Sequence, residues 1–204
     1  MITFIMCSRH EGGMHRDLKR LFDSAVEFIS NYDNVEFLIK FDRDDTSLPD
    51  DEFFAQYPFI IKIFIYNRGE GRKDLHLFYN YLFAQRNPKS RFVMILTDKA
   101  KFIRKGFDED ILSNEEEYCI ISPYKEIIKE KYLNKFKDNY RETTKEWKHW
   151  NGNNLSCFST KIIEVTQGFG WQANVDNWEF LLGLIMYSKY NINLWKPIDT
   201  FYHG

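Results

Sequence analysis

Apolar residues in the first half of the chain follow two alternating rhythms. Residues 2–9 (ITFIMCSR) form a short apolar run that breaks into polar residues and Gly12-Gly13, the pattern of a buried central strand feeding a loop. From Arg16 the apolar positions Leu18, Leu21, Phe22, Ala25, Val26 and Ile29 recur at helical spacing, with Lys19, Arg20, Asp23 and Glu27 opposite them. This predicts a helix lying against a sheet. A turn-forming cluster at 31–34 leads into a second strand over 35–41, which runs directly into the acidic loop Asp42-Arg43-Asp44-Asp45. The rhythm then repeats as a third strand over 60–66, a helix over 74–85 and a fourth strand over 92–96 that stops at Thr97-Asp98. Strand, helix and strand in this order imply right-handed parallel crossovers and a doubly wound α/β sheet. Ligands of such sheets sit outside the carboxyl ends of the strands, where Ser8, Arg9, 42–45, 67–73 and 97–99 fall.

The second half is less regular. A strand is predicted over 118–121, and 125–150 reads as a charged, aromatic-rich helical region whose Lys and Glu run suits a solvated face. A turn at 151–154 precedes a strand over 156–159, and 176–190 reads as a strongly apolar helix. No internal repeat or low-complexity linker divides the chain.

Composition narrows the class. A chain of 204 residues with 44% hydrophobic and 18% aromatic content can bury one substantial core, so a single domain over 1–204 is expected. A formal charge of -2, with acids and bases interspersed, supplies no positive field for nucleic acid. No stretch approaches the roughly 18 uninterrupted apolar residues of a spanning helix, and the N-terminus turns polar too early for a secretory signal. A soluble, cytoplasmic protein is therefore expected, and the N-glycosylation triplet Asn154-Leu155-Ser156 reads as chance. Cys7, Cys119 and Cys157 lack metal-ligand spacing and read as reduced, buried thiols.

Among candidate chemical groups, Asp98 stands at the end of an apolar strand in FVMILTDKAKF. Two readings stand at this point: a carboxylate projecting into the crevice toward a hard cation, or an Asx turn or helix cap. The first strand is followed by SRHEGGMH rather than by the glycine pattern of a dinucleotide fold, so no hydride cofactor is implied. His10 and His15 have no third ligand at metal-like spacing and read as loop residues.

The ordered segments ITFIMCSR, LKRLFDSAVEF, NVEFLIKFDRDD, GRKDLHLFYNYLFAQ and FVMILTDKAKF together resemble the donor-binding half of GT-A fold glycosyltransferases. The likeness is to the family-2-like branch, and it extends to the N-terminal domains of chlorella-virus enzymes that decorate capsid glycans. It implies a GT-A fold with a central, mostly parallel sheet, in a module that can belong to a longer polypeptide. It also implies a UDP-sugar donor, a glycan or glycoprotein acceptor, and Mn2+ or Mg2+ as cofactor. A metal of this kind neutralises charge on the leaving diphosphate, and an inverting reaction needs a base for the acceptor hydroxyl.

Carried over by position, the resemblance puts Ser8 and Arg9 where the first strand meets the nucleotide and Asp42 where a carboxylate contacts base or ribose. Asp44 and Asp45 rank below Asp42 as solvated acids, with Arg43 an available salt-bridge partner. Gly69 and Gly71 form a glycine-rich approach to a helix beside the diphosphate, with Arg72 and Lys73 as cations there. Thr97 and Asp98 fall at the metal motif, but the following Lys99-Ala100-Lys101 departs from the family's paired acids, so either another side chain completes the metal site, or Lys99 partly replaces the metal, or the site is catalytically weak. His203 is the candidate that completes the metal site, the alternative being a disordered tail. Asp176 is the candidate base or, equally, a helix N-cap, and Glu179 either completes that cap or serves as the base. Trp171 and Trp178 offer rings for sugar stacking, or pack in the core.

Overall fold

The computed structural model describes residues 1–9, 16–71, 74–122, 156–170, 182, 183, 185–187 and 189–203. Its first strand, β1 (Ile2–Ser8), lies inside a seven-stranded sheet whose described order is β3-β2-β1-β4-β7-β6-β8. The remaining strands are β2 (Val35–Asp42), β3 (Ile60–Tyr66), β4 (Phe92–Ile95), β6 (Ile120–Ser122), β7 (Cys157–Ser159) and β8 (Trp195–Pro197). A separate ribbon pairs β5 (Lys101–Phe102) with β9 (Tyr202–His203). β3, β2, β1 and β4 run parallel, β7 is antiparallel to both β4 and β6, and β8 is parallel to β6. The sheet is thus mostly parallel, as the strand and helix rhythm implies.

Both faces of β1, β2 and β4 are covered, which is why β1 and β4 read as nearly continuous apolar runs, whereas the edge strand β3 leaves Ile60, Ile63 and Ile65 exposed. On one face Phe4, Met6, Phe37 and Ile39 meet Leu18, Leu21, Phe22 and Ala25 of α1 (Arg16–Phe28). On the other, Ile5, Leu38 and Val93 meet Tyr79, Leu82 and Phe83 of α3 (Leu75–Ala84). Aromatic rings dominate the first layer: Phe4 stacks on Phe37 at 4.9 Å and Phe22 meets Phe37 edge-on at 5.3 Å. Each such pair adds about 0.5–1.5 kcal/mol beyond the area it buries. The α1 helix ends at a turn pinned from outside, because the buried Asp108 carboxylate accepts from the backbone N–H of Ser30 and Asn31 at 2.9 and 3.1 Å.

Short elements escape the periodicity. They are α2 (Asp51–Ala55), α4 (Phe107–Leu112) and α5 (Thr160–Val165), together with β5, β8 and β9. A helix under two turns shows no repeat, and tertiary packing holds it rather than propensity. The Asp50 carboxylate caps α2 by accepting from Phe53 N–H at 2.9 Å, and Phe107 of α4 stacks between Phe102 and Phe201. Expected boundaries shift by a residue or two: β1 ends at Ser8 rather than 9, β2 at Asp42 rather than 41, α3 spans Leu75–Ala84 rather than 74–85, and β7 starts at Cys157 rather than 156. β4 ends at Ile95 rather than 96, and the strand expected over 118–121 spans Ile120–Ser122, with Tyr118 exposed ahead of it. The expected helical region 125–150 lies outside the described residues, as does the start of the apolar helix expected from 176. Of the latter, 182, 183, 185–187, 189 and 190 are helical. Among the described residues no helix is long and apolar enough to cross a membrane.

Candidate functional site

The sheet order reverses beside β1. From β1 the chain moves outward through α1 to β2 and then β3, and α3 returns it across the sheet to β4 on the other flank of β1. In an α/β sheet the ligand crevice lies outside the strands' carboxyl ends at such a reversal; here the chain leaving β4 turns onto α1, the Phe102 N–H donating to Ser24 Oγ at 3.0 Å. Ser8 ends β1 at this point, and its hydroxyl donates to Asp98 Oδ2 at 2.8 Å. Asp98 sits in the turn after β4, half-buried, and among the described residues its Oδ1 has no hydrogen-bond partner. Its carboxylate therefore does not cap its own turn. That turn is closed by the Ala100 N–H bond to Thr97 O at 3.0 Å, and Arg20 of α1 grips it from outside by donating to Lys99 O at 2.8 Å. Thr97 is exposed and contributes its carbonyl to the turn.

A second group of charges lies at the end of β2. Arg9 donates to Asp42 Oδ2 at 3.1 Å and to Asp44 Oδ1 at 3.2 Å. Among the described residues Arg9, rather than the exposed Arg43, thus pairs with Asp42 and Asp44; the Arg43 N–H continues the ladder to Tyr66 O at 2.7 Å. Asp45 also departs from the expected solvated acid. It is buried, and its Oδ1 closes an Asx turn by accepting from the Ser47 N–H and hydroxyl at 3.2 and 3.0 Å. The strand also buries Lys40, whose ammonium pairs with Asp42 Oδ1 and lies 4.1 Å from the centroid of the Phe78 ring. Strand alternation explains the geometry, since residues two apart share a face.

The glycine-rich approach to α3 has a packing reason. A Cβ on Gly69 would lie 2.7 Å from Phe78 Cε2, and Gly71 adopts φ +88°, a conformation that favours glycine. Arg72 and Lys73 lie outside the described residues, as do Asp176, Glu179, Trp171, Trp178, His10 and His15. His203 belongs to β9, where its backbone pairs with Lys101, three residues beyond Asp98; its side chain lies outside what is described. The disordered-tail alternative for this segment therefore gives way to an antiparallel ribbon.

Thus Ser8, Arg9, Asp42, Thr97 and Asp98 share one edge of the sheet. Sequence reasoning missed Lys40 and Arg20. The available signal for Lys40 was Glu36, Lys40 and Asp42 falling on one face of an otherwise apolar strand. Among the described residues no group of three or more His, Cys, Asp or Glu side chains forms a metal cluster. The three thiols are inert by burial: Cys7 is pushed up to about 12, the Lys40 charge offsetting part of the effect, Cys119 to about 11, and Cys157 well above its ordinary value.

No protein-family model and no curated protein sequence matches the chain. Solved structures do. The mannosyltransferase PcManGT from Pyrobaculum calidifontis, in complex with GDP-Man and Mn2+, superposes with a TM-score of 0.62 at 14% identity, over 97% of this chain and 54% of that one. S. aureus TarS 1-349 in complex with UDP gives 0.62 at 10% identity, over 100% and 60%. The fold is GT-A. This chain spans only 54% and 60% of the lengths of those two proteins. The GT-A sheet is shared more widely, since the 4-diphosphocytidyl-2C-methyl-D-erythritol synthase of Anaerococcus prevotii superposes at 0.51 and 12% identity over 98% of this chain and 86% of its own. All three are cellular proteins, and the expected tie to chlorella-virus enzymes draws no support from them.

Proposed function

We propose that this GT-A chain is a glycosyltransferase that binds a nucleoside diphosphate sugar in the crevice beyond β1, β2 and β4. The observation that carries the reading is the Ser8–Asp98 bond at the reversal of strand order, with the Arg9–Asp42 pair beside it. Hydroxyl, carboxylate and guanidinium groups there suit a ribose, a base edge and a diphosphate respectively. That PcManGT was solved with GDP-Man and Mn2+, and TarS with UDP, supports extending the reading from fold to ligand class.

The donor set is compatible with a hard divalent ion. Asp98 offers an oxygen without a partner among the described residues, and Mg2+ or Mn2+ needs only one or two carboxylates when phosphates and water fill its other positions. Asp98 would hold the ion, with His203 as the second ligand. When bound, it supplies charge neutralisation to the leaving diphosphate. Ser8 orients the Asp98 carboxylate, Arg20 fixes the turn that carries it, and Arg9 links Asp42 to Asp44 beside it. Asp176 is our candidate base for an inverting transfer, with Glu179 the alternative, and Trp171 and Trp178 are candidate sugar platforms. On the sequence resemblance alone, the donor is a UDP-linked hexose or deoxyhexose, the acceptor a glycan on a viral capsid glycoprotein, and the site of action the host cytoplasm.

A second reading is favoured by one observation. Lys99-Ala100-Lys101 replaces the second acid of the metal motif, as it would in a nucleotide-sugar or glycan-binding module without turnover. Calorimetric titration of UDP with and without Mn2+, on wild type, Asp98→Ala and His203→Ala, tests the proposal. Metal-dependent affinity should fall about tenfold or more in Asp98→Ala, the loss of one charged ligand contact. Failure of wild type to bind any nucleoside diphosphate would sink the transferase reading, and binding without donor hydrolysis or transfer would favour the module.

A further inference from the structure

Lys40 occupies the interior of β2, 3% exposed, in register with Cys7 on one side and Phe64 on the other. Among the described residues its ammonium meets the Phe78 ring and Oδ1 of Asp42. Phe78 reaches that position because Gly69 leaves room for its ring edge. A buried ion pair gives little net stability, and apolar residues of similar volume serve a core as well or better. What such a pair does provide is a fixed orientation. Asp42 is held at its inner oxygen by a cation that cannot leave, and at Oδ2 by Arg9, whose side chain is 25% exposed and shared with Asp44.

We propose that Lys40 is a positioning residue for the donor nucleotide, locking the Asp42 carboxylate from inside the fold so that Oδ2 faces the crevice as an acceptor for a base N–H or ribose O–H. This rests on the reading of the crevice as a nucleoside diphosphate site. Arg9 is the exchangeable partner: a ligand donor enters beside it or displaces it toward Asp44, while Lys40 keeps the carboxylate from rotating away. Lys40 itself touches no ligand, so its whole effect passes through Asp42.

The test is a double-substitution cycle on the full chain, with UDP and GDP titrated calorimetrically and thermal melts as the folding control. Lys40→Met should raise the Kd about tenfold, the loss expected when a charged hydrogen-bond partner is mis-set. Asp42→Asn should raise it at least as far. Lys40→Met combined with Asp42→Asn removes both buried charges, keeps the strand packed, and should match Asp42→Asn within about twofold, because the two sites form one unit. If Lys40→Met folds poorly, Lys40→Gln carries the same comparison. Its amide still donates to Asp42, and a rise of about threefold is expected.

A double variant markedly weaker than Asp42→Asn would mean that Lys40 contacts the nucleotide itself, which overturns the proposal. Wild-type binding combined with unchanged affinity in a folded Lys40→Met or Lys40→Gln protein overturns the role of Lys40 alone. A wild type that binds neither UDP nor GDP overturns the reading of the crevice and the proposal with it.

Discussion

Strand β2 buries a carboxylate near each end on the same face, and the two ends of the sheet treat them differently. At the amino edge Glu36 is fully enclosed. Its Oε1 accepts from Thr3 Oγ1 at 2.7 Å and from the Asn87 N–H at 2.6 Å, and its Oε2 accepts from Lys62 at 2.9 Å. At the carboxyl edge Asp42 has a buried cation on one oxygen and a partly exposed one on the other. The first acid has a partly exposed cation too, Lys62 at 39%, but its other oxygen is taken by framework donors, Thr3 Oγ1 and the Asn87 N–H, so that it ties β1, β2, β3 and the α3–β4 loop together. The second is open on its solvent side. Burial alone therefore does not separate a structural acid from a binding acid; what differs is that Glu36 also accepts from a backbone N–H and a buried hydroxyl, while among the described residues both partners of Asp42 are side-chain cations.

The sharpest way to break this contrast is to remove the amino-edge acid. Glu36→Ala leaves the Asn87 N–H without its acceptor, while Thr3 keeps Ser90 Oγ at 2.7 Å and Lys62 keeps Gln85 O and solvent, and the loss of three hydrogen bonds to one buried carboxylate should cost roughly 2–4 kcal/mol. UDP affinity per folded molecule should stay unchanged. Denaturant midpoints and calorimetry on the same preparation check both parts, and a loss under about 1 kcal/mol would place Glu36 outside the group of structural acids.

Gly69→Ala acts at the open end. The added methyl collides with Phe78, and displacing that ring should cost about 1–3 kcal/mol as an overpacking effect. UDP binding should weaken in parallel, because Phe78 seats Lys40. A variant that loses stability while keeping wild-type affinity would separate Phe78 from the Asp42 unit.

The smallest effect is a pH slope. Burial raises the Cys7 thiol from 9.0 to about 12, so the unfolded chain ionises first as the solution becomes alkaline. The folded state then holds more protons than the unfolded one. The stability contributed by the neutral thiol is fully present below pH 9 and declines above it, by about 1.4 kcal/mol per pH unit. Cys7→Ala should flatten the fall seen in urea titrations over the single unit between pH 9 and 10, and an unaltered slope would assign the alkaline loss to other groups.

How far the sequence reveals this molecule follows from the range of its interactions. The alternation of apolar strands and an amphipathic helix is local, so β1, α1, β2, β3, α3 and β4 are legible to within a residue or two. Asp42 and Asp98 are legible for the same reason, as acids placed where apolar strands end. Lys40 and Glu36 are not, because VEFLIKFD alternates charge with hydrophobe as a half-exposed strand does, yet all eight positions are buried. Covering that face requires α3 and Lys62, which arrive later in the chain. The β5–β9 ribbon is equally hidden, since two short segments about a hundred residues apart carry no periodic signal of pairing.

That ribbon has a mechanical side. Phe201 and Tyr202, at 0% and 1% exposure, anchor the last described strand beside the residues that follow the Asp98 turn. Tension applied through residue 204 would load this two-residue zipper before it reached the main sheet. The first rupture in a pulling experiment should therefore peel β9 from β5, making that ribbon a mechanical fuse that yields while the seven-stranded sheet still holds.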